Sequence, residues 1–254
     1  MTAPGTLWLM PNTLDAGVSG AVRGIEESLS LGVIRTAART AHWVVENARS
    51  TRAFLKRVDA VVALSQPLQS IAIVELPRPR KGAPTAASPD YAGLLAPLRQ
   101  GFDVALQSEA GLPGVADPGA ALVQAAHAEG LRVIALPGPS SLLLALAASG
   151  LNGQSFAFVG YLPVDAAERG SRIREVESLS RRLRQTQLVI ETPYRNPALL
   201  AALIEHLQPT TRLSVSCGLT LDSELNRCDT VAAWRRARPP LPADVPAVFA
   251  FLAG

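Results

Sequence analysis

The chain has 254 residues, of which 48% are hydrophobic and 18% are charged. This composition allows a large buried core in one or two domains. No stretch reaches the roughly 18 apolar residues that a membrane span needs, and the opening segment TLWLM is too short for the core of a signal peptide. Cys217 and Cys228 are the only cysteines, which excludes a disulfide framework. We therefore expect a cytoplasmic protein without a membrane segment.

The positive charge of the chain comes almost entirely from arginine. The net charge is +3, the pI is about 9.2, and Lys56 and Lys81 are the only lysines. The densest basic run is residues 169–185. It is either a surface that contacts phosphate or a solvated helix face, because Glu175 and Glu177 are interleaved with its arginines.

The first half of the chain alternates short apolar segments with amphipathic ones. Strands are predicted at Leu7–Met10, His42–Glu46, Val104–Ser108 and Arg132–Leu136. Helices are predicted to start at Ser88-Pro89 and at Asp117-Pro118, where a capping side chain precedes a proline, and a further helix covers Ser140–Ser149. Pro77–Pro89 is predicted to be an exposed loop. Strands that alternate with helices indicate a mostly parallel sheet.

The segment LPGPSS at Leu136–Ser141 interrupts this alternation and is predicted to join two α/β domains, residues 1–138 and 139–254. The second domain is predicted to have a mixed sheet. Its strands are expected at Phe156–Val159, Gln187–Glu191, Leu213–Cys217, Leu225–Thr230 and Ala247–Leu252, and the third and fourth are expected to pair in antiparallel orientation. Helices are expected near residues 166–184 and after Asn196-Pro197.

Five strand-end segments are rich in glycine, proline, small polar residues and single charges. Because ligands bind beyond the carboxyl ends of parallel strands, these segments favour a ligand cleft over a set of ordinary turns. The segments follow the strands that end near Met10, Glu46, Ser108, Leu136 and Glu191.

Several kinds of site are unsupported by the sequence. There is no G-x-G-x-x-G fingerprint after the first strand, no phosphate-binding P-loop and no G-x-S-x-G nucleophile motif. His42, His127 and His206 are scattered, and no spacing of cysteine and histidine resembles a metal site. The remaining groups are backbone amides, small hydroxyls and a few carboxylates, which suit a neutral or cationic ligand better than a polyphosphate.

Four motifs in order resemble those of the tetrapyrrole methylase superfamily of S-adenosylmethionine (SAM) methyltransferases. They are SEAGLPGVADPG at residues 108–119, LPGPSS at 136–141, SFAFVGYLP at 155–163 and IETPYR at 190–195. The segment ENARSTRAFLK at 46–56 resembles a further motif. Within the superfamily the sequence is most similar to the branch that contains the small-subunit ribosomal RNA 2′-O-ribose methyltransferase. Departures from that branch include Asn47 in place of aspartate and Leu112 in place of threonine.

The resemblance implies two α/β domains with SAM bound between them, and it implies a set of binding residues. The implied SAM contacts are Pro11, Glu109, Ala110, Gly111, Leu112, Val115, Ser140, Ser141, Thr192, Gly218 and Ala247. The family is usually dimeric, so a homodimer is expected.

Transfer of a methyl group to a hydroxyl or an amide needs a base that accepts a proton. Glu46, Glu109 and Glu191 are the candidates, because each follows a strand. Arg49 and Arg195 are candidates for binding an anionic part of the acceptor. The alternative for these charged residues is a set of structural ion pairs, with Glu191 and Arg195 bracing their own loop.

Three function classes stay open at this point. The first is a SAM methyltransferase that acts on ribosomal RNA. The second is a SAM methyltransferase that acts on a tetrapyrrole or another small acceptor. The third is a family member that binds SAM or RNA without catalysis.

Overall fold

The computed structural model describes residues 3–15, 23–77, 91–237 and 240–254. The described residues form two compact units, and the first unit ends at Pro139 where the second begins at Ser140. The predicted helix start at Ser88-Pro89 and almost all of the predicted loop at Pro77–Pro89 lie outside the described residues.

The first unit contains a five-stranded parallel sheet. Its strands are β1 (Thr6–Met10), β2 (His42–Val45), β3 (Ala72–Glu75), β4 (Val104–Gln107) and β5 (Arg132–Ala135). Their order in the sheet is β3-β2-β4-β1-β5. Its helices are α1 (Leu31–Arg39), α2 (Ala48–Val61), α3 (Tyr91–Leu94), α4 (Ala96–Arg99) and α5 (Ala120–Ala128).

Helices cover both faces of this sheet, so side chains on both faces are buried. In β4, Ala105 packs in a cluster with residues of α1 and α2 such as Ile34 and Leu55. Its neighbour Leu106 packs in a second cluster with residues of α4 and α5, including Leu98 and Leu122. Because successive side chains of a strand point to opposite faces, a strand that is buried on both faces is apolar without interruption, as β4 is up to Leu106.

The second unit contains a five-stranded mixed sheet of order β6-β7-β10-β8-β9. Its strands are β6 (Phe156–Gly160), β7 (Thr186–Ile190), β8 (Arg212–Cys217), β9 (Leu225–Thr230) and β10 (Ala247–Leu252). Only β6 and β7 are parallel, and the other neighbours are antiparallel. Its helices are α6 (Ser141–Ser149), α7 (Ala166–Leu183), α8 (Asn196–His206) and α9 (Val231–Arg236). The predicted fold class, a parallel sheet followed by a mixed sheet, is confirmed.

The first unit differs from the sequence prediction in several details, and helices α1 and α2 were not predicted. Strand β3 was not predicted, because it is a four-residue edge strand whose side chains are mostly exposed. The helix predicted to start at Asp117 starts at Ala120 instead. Its N-cap is Gly119, and no side chain caps it.

Candidate active site

The carboxyl edge of the first sheet gathers the loops that follow four parallel strands. Pro11 follows β1, Glu46 follows β2, and the segment 108–119 follows β4. The turn 136–139 follows β5. Since β1 lies between β4 and β5 in the sheet, these strand ends are neighbours in space. The first unit therefore brings together the predicted residues Pro11, Glu46, Glu109, Ala110, Gly111, Leu112 and Val115.

The segment 108–119 follows an irregular path with several left-handed residues. Gly111 has φ of 64° and Gly114 has φ of 78°. Ala116 also has a positive φ, 64°, which costs a residue with a Cβ of the order of 1 kcal/mol or more. A backbone that turns in this way exposes N–H and C=O groups that are not used in a helix or a sheet, so it can bind a ligand with many polar edges.

Asn12 holds this segment against the end of β1. Its backbone N–H donates to the Gly111 carbonyl at 2.8 Å, and its Nδ2 donates to the Glu109 carbonyl at 2.8 Å and the Ser108 carbonyl at 3.3 Å. The side chain is almost fully buried. Sequence reasoning did not assign Asn12 a role, although its position directly after a strand was the available signal.

Gly138 brings the turn after β5 into contact with the end of β1. An ideal Cβ at this position would lie 2.2 Å from Cβ of Pro11 and 2.6 Å from its Cγ. Only a residue without a side chain allows this approach, because the proline ring is rigid. The PGP turn of the sequence thus has a packing role against Pro11.

Three carboxylates meet at this edge, and we call Glu46, Glu109 and Asp117 the carboxylate cluster. Oε2 of Glu46 accepts a hydrogen bond from the Glu109 backbone N–H at 3.1 Å. Burial, and then the negative charges of Glu46 and Glu109, raise the pKa of Asp117 to about 6. A carboxyl group with such a pKa can accept a proton near neutral pH. Asp117 was predicted as a helix cap and not as a site residue.

Arg49 lies in the first turn of α2, with an exposed side chain. Its backbone N–H donates to Oδ1 of Asn47 at 2.9 Å, where Asn47 caps the helix. Within the described part of the chain no ion pair joins Arg49 to Glu46. The described residues therefore give no support to the alternative in which Glu46 and Arg49 form a structural ion pair with each other.

Glu191 in the second unit has both carboxylate oxygens engaged. One oxygen accepts from the backbone N–H of Thr192 at 2.8 Å and from its hydroxyl at 3.2 Å. The other lies 3.3 Å from Nη2 of Arg195, and the Glu191 side chain is only 4% exposed. These contacts favour the alternative in which Glu191 and Arg195 brace their own loop.

Other predicted residues of the second unit gather at one edge of its sheet. Strand β10 lies between β7 and β8, so Thr192 after β7, Gly218 after β8 and Ala247 at the start of β10 are on adjacent strands. Gly218 donates its N–H to the Pro246 carbonyl at 3.0 Å. Ser140 and Ser141 lie elsewhere in the chain, at the start of α6, and Ser140 is its N-cap without a side-chain capping bond.

Two buried polar side chains at the end of β4 and just after it were not predicted. Gln107 is 1% exposed and Ser108 is 3% exposed. Neither polar atom of the Gln107 amide, nor the Ser108 hydroxyl, has a hydrogen-bond partner among the described residues. Buried polar groups nearly always have a hydrogen-bond partner. The unpaired side chains of Gln107 and Ser108 are therefore an exception at the end of β4.

Neither a metal site nor a membrane helix occurs in the part of the chain that the structure describes. No three side chains of the types that ligate metals are grouped there in a way that could hold an ion. None of the helices there combines the length and apolar character required to cross a membrane.

Two solved structures share the fold of this chain. One is the uroporphyrin-III-C-methyltransferase from Thermus thermophilus, which aligns with a TM-score of 0.52 and 22% identity over 98% of this chain and 94% of its own. The other is the methyltransferase CobJ, with a TM-score of 0.55 and 16% identity over 100% of both chains. At these identities the likeness shows the fold alone.

Curated relatives align over shorter segments with higher identity. They are proteins named ribosomal RNA small subunit methyltransferase I. The protein from Mesorhizobium japonicum is 39% identical over 140 residues, which are 55% of this chain and 46% of the relative. The protein from Pseudomonas aeruginosa is 45% identical over 98 residues, which are 39% of this chain and 33% of the relative. The alignments thus span less than half the length of these two relatives.

The family assignment rests on most of the chain. A sequence profile of the tetrapyrrole (corrin/porphyrin) methylases matches residues 24–232. This range includes the carboxylate cluster, the segment 108–119 and most of the second unit. The chain belongs to the tetrapyrrole (corrin/porphyrin) methylase family.

Proposed function

We propose that the protein is a SAM-dependent methyltransferase. The observation that carries the proposal is the irregular segment 108–119, in which several residues have positive φ. Asn12 holds this segment at the end of β1 by hydrogen bonds, beside the carboxylate cluster. Membership of the tetrapyrrole methylase family supports it. The names of the aligned relatives support it as well.

The residues of the first unit fit the methyl donor in two ways. Gly111, with φ of 64°, and its neighbours offer backbone groups to the polar edges of a nucleoside and an amino acid. The carboxylate cluster offers negative charge to a cation. When bound, SAM supplies a methyl group on a positively charged sulfur. Pro11, Glu109, Ala110, Gly111, Leu112 and Val115 would bind it from the first unit, and Ser140, Ser141, Thr192, Gly218 and Ala247 from the second.

The chain's own contribution to the reaction is alignment and proton transfer. Methyl transfer from a sulfonium is a displacement, so the enzyme must hold donor and acceptor in line and exclude water. A hydroxyl acceptor also loses a proton. We propose that the carboxylate cluster accepts it at Asp117, whose pKa is raised to about 6. Arg49 would bind an anionic part of the acceptor.

We propose that Glu191 supports its loop and does not accept the proton. Its bonds to Thr192 and Arg195 leave it supporting the loop that carries Thr192. A group whose two oxygens are both engaged is a poorer proton acceptor than a group with an oxygen available to the acceptor.

The acceptor that we favour is RNA of the small ribosomal subunit. The support is the name shared by the aligned relatives, and the arginine-rich composition agrees with an anionic partner. The alternative is a tetrapyrrole or another small acceptor, which the name of the Thermus thermophilus protein suggests. A third possibility is a member that binds SAM or RNA without catalysis.

Transfer of a labelled methyl group separates these possibilities. The protein is incubated with labelled SAM and small-subunit ribosomal RNA from cells that lack its gene, and in parallel with uroporphyrinogen III. We expect label in the RNA only. Label in the tetrapyrrole only would reject the RNA acceptor. No label in either, with normal binding of S-adenosylhomocysteine, would favour the non-catalytic class.

We also propose a cytoplasmic homodimer with domains at residues 1–138 and 139–254. The absence of a membrane-spanning helix among the described residues agrees with the location. Exposed apolar side chains at the edge strand β6 and just after it, Phe156, Tyr161 and Val164, agree with a subunit interface. Sedimentation at micromolar concentration tests the dimer, and a species at the chain mass of 26.7 kDa would reject it.

A further inference from the structure

A row of three cationic side chains runs along the exposed face of α2. Arg49, Arg52 and Lys56 are all exposed, and their spacing of three and four residues puts them on one face of the helix. A helix rises about 1.5 Å per residue, so the row extends for about 10 Å. We call these three residues the basic row.

No carboxylate of the described residues pairs with the basic row. On a neighbouring face of α2, Arg57 lies 3.1 Å from a carboxylate oxygen of Asp15. On α7, Arg172 lies 2.7 Å from Glu175. Among the residues that the structure describes, Arg52 donates only to the Ala48 carbonyl of its own helix, at 3.3 Å. The row therefore presents positive charge that the described part of the protein leaves uncompensated.

Two carboxylates near the ends of α2, Asp59 of the helix and Glu75 of β3, accept hydrogen bonds from backbone groups. Oδ1 of Asp59 accepts from the Leu64 N–H at 2.9 Å. Oε1 of Glu75 accepts from the Ala48 N–H at 2.8 Å. The Glu75 carboxylate thus satisfies an N–H at the start of α2, and neither carboxylate forms an ion pair with the basic row among the described residues.

We propose that the basic row binds the sugar–phosphate backbone of an RNA acceptor next to the nucleotide that receives the methyl group. The inference rests on the proposed function, and it adds Arg52 and Lys56 to the acceptor-binding residues. Helix α2 begins at Ala48, two residues after Glu46 of the carboxylate cluster, so the row starts at the site and leads away from it. Uncompensated charges in a line complement a polyanion, and contacts of this kind add affinity without reading base sequence.

The salt dependence of RNA binding tests the inference. The variant Arg52→Gln with Lys56→Gln keeps Arg49 and the helix. Its affinity for a labelled single-stranded RNA of mixed sequence is compared with that of the native protein across a salt series. Each lost phosphate contact lowers the slope of log affinity against log salt by about 0.7 for single strands, so we expect a decrease of about 1.4.

The matched control is Arg132→Gln with Arg236→Gln. Both arginines are exposed, neither pairs with a carboxylate of the described residues, and Arg132 lies at the amino end of β5, away from the site. The control variant should keep the native slope. Equal slopes in all three proteins, or an equal loss in both variants, would overturn the inference.

Binding of S-adenosylhomocysteine separates the failure of this inference from the failure of the proposed function. The Arg52→Gln, Lys56→Gln variant should bind it as tightly as the native protein does. If the native protein binds this ligand but shows no salt-dependent affinity for RNA, the basic row is wrongly assigned and the methyltransferase proposal stands. If the native protein neither binds the ligand nor transfers a methyl group, the proposed function itself fails.

Discussion

At the scale of single residues, the protonation of Asp117 links the site to pH. Burial and two neighbouring carboxylates raise the pKa of Asp117 from 3.8 to about 6. The folded protein therefore holds this proton more tightly than the unfolded chain does. Stability falls as the pH rises from about 4 to about 6, and above this window the charged group destabilises the fold.

The substitution Asp117→Asn should remove this pH dependence. We expect the variant to be more stable than the native protein at pH 7, by about 1 kcal/mol once partial solvent access is taken into account. Its methyl transfer should be lower by about 10²–10⁴-fold, the usual effect of losing an acid–base group. Denaturant unfolding at several pH values and single-turnover transfer provide the two measurements.

The native protein supplies the control for Asp117. Its transfer rate should rise with pH around 6, as the cluster loses its proton. A variant that transfers methyl groups at the native rate with the native pH profile would exclude Asp117 as the proton acceptor. It would leave Glu46 and Glu109 as the remaining candidates.

The unpaired amide of Gln107 should cost stability. Burying a polar group without a hydrogen bond costs about 1–3 kcal/mol, and methionine has a similar shape without the amide. Gln107→Met should therefore raise the free energy of unfolding by about 1 kcal/mol, or the melting temperature by about 2–4 °C. Thermal unfolding measures this directly.

Gln187 provides a matched control for that substitution. It is also 1% exposed, but its Nε2 donates to the side-chain oxygen of Gln185 at 3.0 Å and to the Gln185 carbonyl at 3.3 Å. Gln187→Met should lower stability, since it removes these bonds. If both substitutions destabilise the protein equally, the Gln107 amide has a partner after all.

At the scale of elements, the turn after β5 depends on close contact with the end of β1. Gly138→Ala would place a methyl group within 2.2 Å of Cβ of Pro11, so the turn must move. We expect a loss of about 1–3 kcal/mol of stability, as for other overpacked sites, together with weaker binding of S-adenosylhomocysteine. Gly153→Ala is the control, because beyond its chain neighbours no atom of the described residues lies within 4 Å of the added methyl group. Equal stability of the two variants would contradict the packing role.

Most elements could be predicted from their sequence, and the exceptions have physical reasons. The strand β10 was predicted with its observed bounds, because its apolar run is buried along nearly its whole length. The edge strand β3 lacks such burial. The start of α5 was predicted two residues too early. Asp117 resembles a helix cap in sequence, but it lies near Glu46 and Glu109 in the carboxylate cluster.

The candidate site could be predicted as a set of strand ends but not as a set of contacts. Glu46 and Glu109 were chosen because each follows a strand, and the structure joins them through a hydrogen bond. The clamp by Asn12 depends on residues almost a hundred positions away, which no local pattern reveals. The roles assigned to all these residues stay predictions until variants are tested.

At the scale of the whole molecule, the excess positive charge is modest and its distribution matters more than its sum. A net charge of +3 is too small to identify a partner. The basic row adds information because it concentrates uncompensated cations on one helix that begins beside the carboxylate cluster. Under the proposed function, the negative charge of the carboxylate cluster suits a cationic donor and the positive charge along α2 suits a polyanionic acceptor.

Calorimetric titration of the native protein with S-adenosylhomocysteine tests the central claim most directly, because it needs no knowledge of the acceptor. The account predicts saturable binding at one site per chain. Absence of any binding heat at millimolar ligand, for a protein that shows a normal cooperative unfolding transition, would contradict the claim that this chain is a SAM-dependent methyltransferase.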